Sequence, residues 1–221
     1  MLLQRLVELI TPQACLVCSR SGGVVCVECL PKLATASAGT CVRCNRLSPL
    51  GKTCSRCMNH LVIRGVSVSS YYDGPIKELI LRLKFSRNRS AADVAAELIL
   101  LRIERPDMIF DIVTSVPISA ARYRERGYNQ SELIARRVAY KLGLPYQPLL
   151  GRRNGEHQLG KDRKTRIEQV KNVFYSQKSC AGLRVLLIDD VVTTGATLDA
   201  CARSLKGGGA KNVWGAVVAK H

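Results

Sequence analysis

The chain has 221 residues and carries 34 Lys and Arg against 17 Asp and Glu, a formal net charge of +17. That length holds one good core and a small appended module, and an apolar share of 47% excludes a disordered chain. No apolar run reaches the length of a membrane span, so no membrane insertion is expected; the charge favours polyanionic partners such as nucleic acid, an acidic membrane surface or phosphorylated small molecules.

Met1 to Ile10 places Arg5 and Glu8 inside an apolar pattern and leads to no small-residue cleavage site. It reads as a short amphipathic helix rather than a signal peptide, so a cytoplasmic location is expected, where structural disulfides are rare. Eight of the ten cysteines then form four Cys-x-x-Cys pairs: Cys15/Cys18, Cys26/Cys29, Cys41/Cys44 and Cys54/Cys57. Each pair can offer two thiolates to one metal, and two pairs complete a tetrahedral four-cysteine site. Seven residues separate the first two pairs and nine the last two. Sequential closure therefore needs only short loops and is favoured over a cross-braced arrangement. Two structural zinc ions are expected, each folding a segment too small to fold alone. A redox role is the rival, but no thioredoxin-like pattern surrounds the pairs. His60 could replace a ligand, though eight cysteines suffice.

Leu61 to Tyr72 partly alternates and is rich in β-branched residues, which predicts a strand. Asp73-Gly74-Pro75 reads as a turn with Pro75 opening a helix, and helical spacing follows over Ile76–Phe85 and Ala91–Ile103. Lys84, Arg87 and Arg89 lie in or beside the connection between those helices. Ile109 to Val116 is a core strand ended by Pro117. The segment from Ser119 to Gln130 then brings Arg122, Arg124 and Arg126 just beyond that strand, well placed to meet a pyrophosphate because guanidinium matches phosphate oxygens bidentately; a basic loop capping the next helix, Ser131–Lys141, is the plainer alternative. Residues 121–166 hold twelve Lys/Arg and four Asp/Glu. Within them 151–166 is polar, basic and punctuated by glycine, a pattern that predicts a mobile loop able to close over a charged intermediate. His157 in that loop has no partner acid and is read as incidental. A last strand is expected over Val213–Ala219, with Trp214 packing rather than stacking on a base. Cys180 and Cys201 lack the neighbours of an activated thiolate.

Residues 185–197 concentrate the chemistry. Val185 to Ile188 is a continuous apolar run, which reads as a buried parallel strand. Asp189 and Asp190 follow at its carboxyl end, where open α/β sheets place ligands. Thr193, Thr194, Gly195, Ala196 and Thr197 then supply three hydroxyls and free N–H groups at a helix start, an anion seat. Carboxylates cannot serve the anion, but they accept from vicinal hydroxyls and attract a divalent cation bridging to phosphate. A phosphate beside two hydroxyls describes a ribose 5-phosphate. No Gly-Lys-Ser/Thr follows, so this is not a Walker loop.

The thirteen residues resemble, position for position, the phosphoribosyl pyrophosphate (PRPP) signature of type I phosphoribosyltransferases. That resemblance implies a parallel sheet flanked by helices, an α/β fold, with Asp189 and Asp190 on the ribose hydroxyls. Val191 and Val192 lead into the 5-phosphate loop formed by Thr193 to Thr197, and Mg accompanies PRPP. With the cysteine pairs, Leu83-Lys84-Phe85, Val116-Pro117, Arg126-Gly127-Tyr128-Asn129-Gln130 and the later Gln158-Leu159, Arg163, Arg166, Asn172 and Phe174, the chain is similar nearly throughout to the ComF/GntX family. Tyr128 stands where phenylalanine is commoner. The resemblance implies an N-terminal helix and double zinc ribbon over 1–60 and a phosphoribosyltransferase-like domain over 61–221. It also implies a part in handling incoming single-stranded DNA or using DNA as a nutrient, with competence-machinery proteins as partners. Lys84, Arg122, Arg126, Arg163 and Arg166 are candidates for the pyrophosphate or its covering loop. No catalytic base is assigned, since transfer from PRPP relies on positioning and charge stabilisation. Three readings stay open: a transferase in DNA handling, a non-catalytic nucleotide- and DNA-binding adaptor, and a salvage enzyme for an unidentified nitrogen base.

Overall fold

The chain is described by a computed structural model covering residues 13–36, 39–85, 89–103, 108–153 and 173–221. The expectations placed on Met1–Ile10, Arg87, His157, Gln158, Leu159, Arg163, Arg166 and Asn172 lie outside those residues. Four parallel strands make the central sheet: β1 (Val66–Tyr71), β2 (Ile112–Ser115), β5 (Arg184–Val192) and β6 (Asn212–Lys220), in the order β1-β6-β5-β2. A separate antiparallel pair joins β3 (Leu150–Arg152) to β4 (Phe174–Ser176). Short helices α1 (Leu30–Leu33) and α2 (Ser55–Met58) belong to the cysteine-rich region. The longer ones are α3 (Gly74–Phe85), α4 (Arg89–Ile103), α6 (Gln130–Leu142) and α7 (Ala196–Gly207), with a seven-residue α5 (Ala120–Arg126).

Strand β5 is apolar on both faces because both are covered. Leu186 and Ile188 pack with α3, α4 and α6 in one core, while Val185 and Leu187 pack with α7, β3 and β4 in the other. All four side chains are buried, each contributing about 1.5–3 kcal/mol. Helix α4 presents Ala91, Ala92, Ala95 and Ala96 to the first core. Small residues there let it approach α6 and β1 closely. Helix α7 turns Leu198, Cys201, Ala202 and Leu205 into the second core, so Cys201 is a packing residue.

Three of the differences from the sequence reading have a physical reason in plain view. The strand expected from residue 61 begins only at Val66, because the N–H groups of Val62 and Ile63 donate to the Asp199 carboxylate, at 2.6 and 3.2 Å, instead of joining the sheet. The arginine segment after Pro117 is the helix α5. Ser119 Oγ caps it by accepting from Arg122 N at 3.3 Å, and Gly127, at φ 77°, stops it in the left-handed conformation. Strand β5 does not end at the acidic pair; its pairing with β6 runs on to Val192 opposite Lys220.

Both cysteine sets close sequentially: the sulfurs of Cys15, Cys18, Cys26 and Cys29 lie within 4.8 Å of one another, as do those of Cys41, Cys44, Cys54 and Cys57. Cys18 and Cys26 sulfurs are 3.8 Å apart, and those of Cys44 and Cys54 3.6 Å. Four thiolates arranged tetrahedrally at zinc would sit about 3.8 Å apart. Cys26 N also points at Cys15 Sγ, at 3.4 Å. Burial raises Cys15 and Cys41, but surrounding N–H groups together outweigh it and bring each down to about 6. Each cluster could thus hold a zinc ion.

The candidate ribose-phosphate site

Strand β2 stops at Ser115 opposite Ile188, and Val116 N → Ile188 O at 3.0 Å is the last bond of that ladder. Beyond it, Asp189 to Val192 have no strand neighbour on this side of β5 among the described residues. The N-terminus of α6 comes to the acidic pair there. Asn129 caps the helix by accepting from Ser131 N at 3.1 Å, and its amide donates to Val116 O at 2.9 Å. That double role fixes helix α6 to the end of β2.

The next two side chains hold the acids. Ser131 Oγ donates to Asp189 Oδ1 at 2.8 Å, and Gln130 Nε2 donates to Asp190 Oδ2 at 3.3 Å. Arg126 Nη1 in turn donates to Gln130 Oε1 at 3.1 Å while its guanidinium lies over the Phe85 ring, 5.3 Å from the centroid. Tyr128 OH donates to Leu83 O, tying this run to the end of α3. One residue further, Lys84 Nζ sits 3.1 Å from Asp190 Oδ2. The run from Arg126 to Ser131 is therefore a clamp: Gln130 and Ser131 hold the acids, Arg126 holds Gln130, Asn129 caps the helix that carries both, and Tyr128 ties the run to the residue before Lys84.

The two carboxylates are not equivalent. Asp190 is 6% exposed and takes Gln130, Lys84 and Val191 N, the last at 2.8 Å. Asp189 is half-buried. Burial and then the Asp190 charge push it up to about 8, against the pull of Ser131, the Asp190 N–H and Lys84. Burial and the neighbouring acid thus disfavour charge on Asp189, and a cation or an incoming donor would favour it.

Thr193, Thr194 and Thr197 are exposed. Gly195 caps α7 at φ 79°, and Thr194 Oγ1 accepts from Ala196 N at 3.4 Å. The N–H groups of Thr194, Gly195 and Thr197 have no hydrogen-bond partner among the described residues. They stand at the start of a 12-residue helix, whose dipole adds to their attraction for an anion. Acid pair and anion seat are thus adjacent on one strand–loop–helix unit, the order a ribose 5-phosphate requires.

The arginine candidates separate. Arg122 is exposed, whereas Arg126 is partly buried and engaged with Gln130 and Phe85. Arg126 Nε is buried with no partner among the described residues. Lys84 reaches the acidic pair rather than open solvent. From the sequence Gln130 has no assigned role, and Ser131 figures only as the first residue of the next helix. The signal was present in the polar Asn-Gln-Ser triplet at the start of an amphipathic helix, where three polar residues exceed what one cap needs.

Residues 129–221 match the phosphoribosyl transferase domain family. The chain is 33% identical over 173 residues to the DNA utilization protein YhgH of Salmonella typhimurium, covering 72% of this chain and 74% of that one. It is 29% identical over 190 residues to the competence protein ComFC of Bacillus subtilis, covering 82% and 77%. Among solved structures it is similar to the glutamine PRPP amidotransferase of B. subtilis complexed with ADP and GMP. That likeness has a TM-score of 0.45 and 18% identity, over 62% of this chain and 30% of that one. Among the described residues no helix is long and apolar enough to cross a membrane. Two sequential four-cysteine clusters, a parallel sheet with flanking helices and the similarity to YhgH and ComFC make this chain a member of the ComF/GntX family.

Proposed function

We propose that the chain binds PRPP at the carboxyl end of β5 and acts in the handling of incoming single-stranded DNA. Asp189 and Asp190 take the ribose hydroxyls, Val191 and Val192 set the loop's start, and Thr193 to Thr197 enclose the 5-phosphate. The observation that carries the reading is the adjacency of two carboxylates, one of them met by Lys84, and three N–H groups at a helix start with no partner among the described residues. Asp189 and Asp190 are also the residues that would hold Mg, which supplies charge neutralisation for the pyrophosphate. The exposed Arg122 stands at the same end of the sheet and suits that pyrophosphate. Arg163 and Arg166 belong to the covering loop in this reading. The cysteine region, 1–60, carries two structural zinc ions, and 61–221 forms the phosphoribosyltransferase-like domain.

The DNA role is supported by the names of the relatives and by charge. Arg122 and Arg124 are exposed on α5 with Tyr123 beside them, also exposed, and twelve basic residues in 121–166 exceed what one PRPP can engage. Binding of this kind is sequence-tolerant and falls steeply with salt, because counterions are released from the strand.

A second reading is favoured by Lys84. Its ammonium already neutralises Asp190, so the pocket can accept the hydroxyls of a nucleotide end with no divalent cation and grip a strand without turnover. Calorimetry with PRPP, with and without Mg, joined to an assay of pyrophosphate release in the presence of free bases or single-stranded DNA, separates the two. Mg-dependent binding with pyrophosphate release establishes the transferase. Binding of nucleotide ends without Mg and without release establishes the adaptor. No heat from PRPP or nucleotide overturns both.

A further inference from the structure

We infer that the second four-cysteine knuckle is a positioning element for the anion loop, acting through Val42; the inference rests on reading 193–197 as that loop. Val42 immediately follows Cys41, the first sulfur ligand of the set, and is 2% exposed. Its side chain lies against Gly195. A Cβ built on Gly195 would meet Val42 Cγ1 at 3.0 Å and Cγ2 at 3.1 Å, and Gly195 is held at φ 79°. Only glycine combines that backbone conformation with that approach. The wall of the loop is therefore a residue of the metal knuckle.

The knuckle is fastened to the strand end that carries the loop. Lys220 Nζ, buried at the end of β6, donates to Val42 O at 3.3 Å and to Asn45 Oδ1. Lys220 is paired with Val192, the last residue of β5. The chain leaving the same cluster grips the helix behind the loop. His60 O accepts from Arg203 Nη2 at 2.6 Å, and Val62 and Ile63 donate to Asp199, which Arg203 Nε also meets at 2.9 Å. Asp199 lies in the first turn of α7, and its own N–H donates to Gly195 O at 2.9 Å. Gly195 is thus held from outside by Val42 and from behind through Asp199, both by segments adjoining the second cluster.

The first cluster is anchored elsewhere. Ser70 Oγ donates to Leu33 O, Arg102 Nη2 donates to Ala34 O and Ala36 O at 2.6 Å each, and Ala36 N reaches Ser69 O at 3.2 Å. Val24 and Leu33 join the core that contains α4. Its loss should loosen β1 and α4 and leave the anion loop in place. Loss of the second cluster removes the wall from a glycine that has no side chain to hold it. The N–H groups then lose the preorganisation that makes them a tight anion seat.

The test compares full-length variants by hydrogen exchange at the Asp199 amide, whose partner is the Gly195 carbonyl, with zinc content and PRPP affinity measured alongside. Cys44→Ser, which disables the second cluster, should speed that exchange about tenfold or more. Cys18→Ser, which disables the first, should leave it within about twofold. Val42→Ala should keep both metal ions and still raise exchange severalfold. This arm decides alone if Cys44→Ser fails to fold. An Asp199 amide unchanged in Val42→Ala, or equally fast in Cys18→Ser and Cys44→Ser, overturns the inference. Exchange needs no ligand, so a wild type that ignores PRPP would count against the proposed function and leave this result standing.

Discussion

The ladder between β2 and β5 has carboxylates at both ends, Asp111 just before β2 and the acidic pair on β5, and the two ends treat them in opposite ways. At the amino end Asp111 is saturated: Arg184 donates to it from N at 2.7 Å, Nε at 2.9 Å and Nη2 at 2.5 Å. The Arg184 side chain first, and its N–H second, hold Asp111 at about 2. At the carboxyl end Asp189 is pushed up to about 8 by burial and by Asp190. One end spends its charge on joining two strands; at the other Asp190 meets Lys84, and Asp189, held by the neutral hydroxyl of Ser131, has no ion pair among the described residues. Fold stability alone would favour the first arrangement at both ends. A carboxyl group held at a cost to folding is what a ligand site looks like before its ligand arrives.

The largest expected effects come from removing the two acids at the carboxyl end. Asp190→Asn keeps the shape but leaves Lys84 beside a neutral amide and removes a charged acceptor for the ribose. Charge-assisted hydrogen bonds contribute roughly 1.5–3 kcal/mol, so PRPP affinity by calorimetry should fall about tenfold or more. Asp189→Asn should cost binding by a similar factor while making the unliganded protein more stable above neutral pH. Greater loss from an Asp111 variant than from either of these would erase the contrast between the ends.

The pH response follows from the same shift, with its sign fixed by linkage. A carboxyl group raised in the folded state contributes stability that is whole below the unfolded value near 4 and is lost as pH climbs through about 8. Ligand binding runs the other way, since it requires Asp189 ionised. Affinity for PRPP with Mg should rise about tenfold from pH 7 to 9 and then level, with proton release at pH 7 visible as buffer-dependent heat. An affinity flat across that range would show that Asp189 is already ionised in the free protein. Ser131→Ala should sharpen the point. Without its hydroxyl Asp189 moves higher still, so affinity at pH 7 should fall about threefold to tenfold while affinity at pH 9 changes less.

How much of this the sequence disclosed differs with the range of the interaction. The core of β5 and the loop after it were legible because a continuous apolar run, two acids and a hydroxyl-rich turn are adjacent in the chain. Sequential closure of the cysteine sets was legible for the same reason: the loops are short. The helix α5 is bracketed by Ser119 and Gly127, a cap and a left-handed stop, yet its alternating arginines read first as a phosphate-meeting segment or a basic loop before the next helix. What escaped altogether depends on distant partners. Val62 and Ile63 look like strand residues until Asp199 takes their N–H groups. Val42 looks like a filler between ligands until Gly195 is brought against it. No periodicity encodes either contact.

The smallest expected effect is at the saturated end. Asp111→Asn removes a well-formed pair, but both side chains are about one-third exposed, at 31% and 35%, so solvent screens most of the attraction. The Asp111 N–H to Arg184 O bond at 2.9 Å is a backbone bond and survives the change. Thermal unfolding at pH 7 should therefore drop by no more than a few degrees. The sign with pH is opposite to that at Asp189. A carboxyl group held low contributes stability above its unfolded value near 4 and loses it as pH falls toward 2. Asp111→Asn should thus match the wild type more closely at pH 2 than at pH 7 in a series of melts. PRPP affinity and its rise between pH 7 and 9 should stay unchanged, because the substitution lies at the other end of the strands. A variant that lost both stability at pH 7 and PRPP affinity would mean that the ladder transmits strain along its length, and the two ends could no longer be treated as independent.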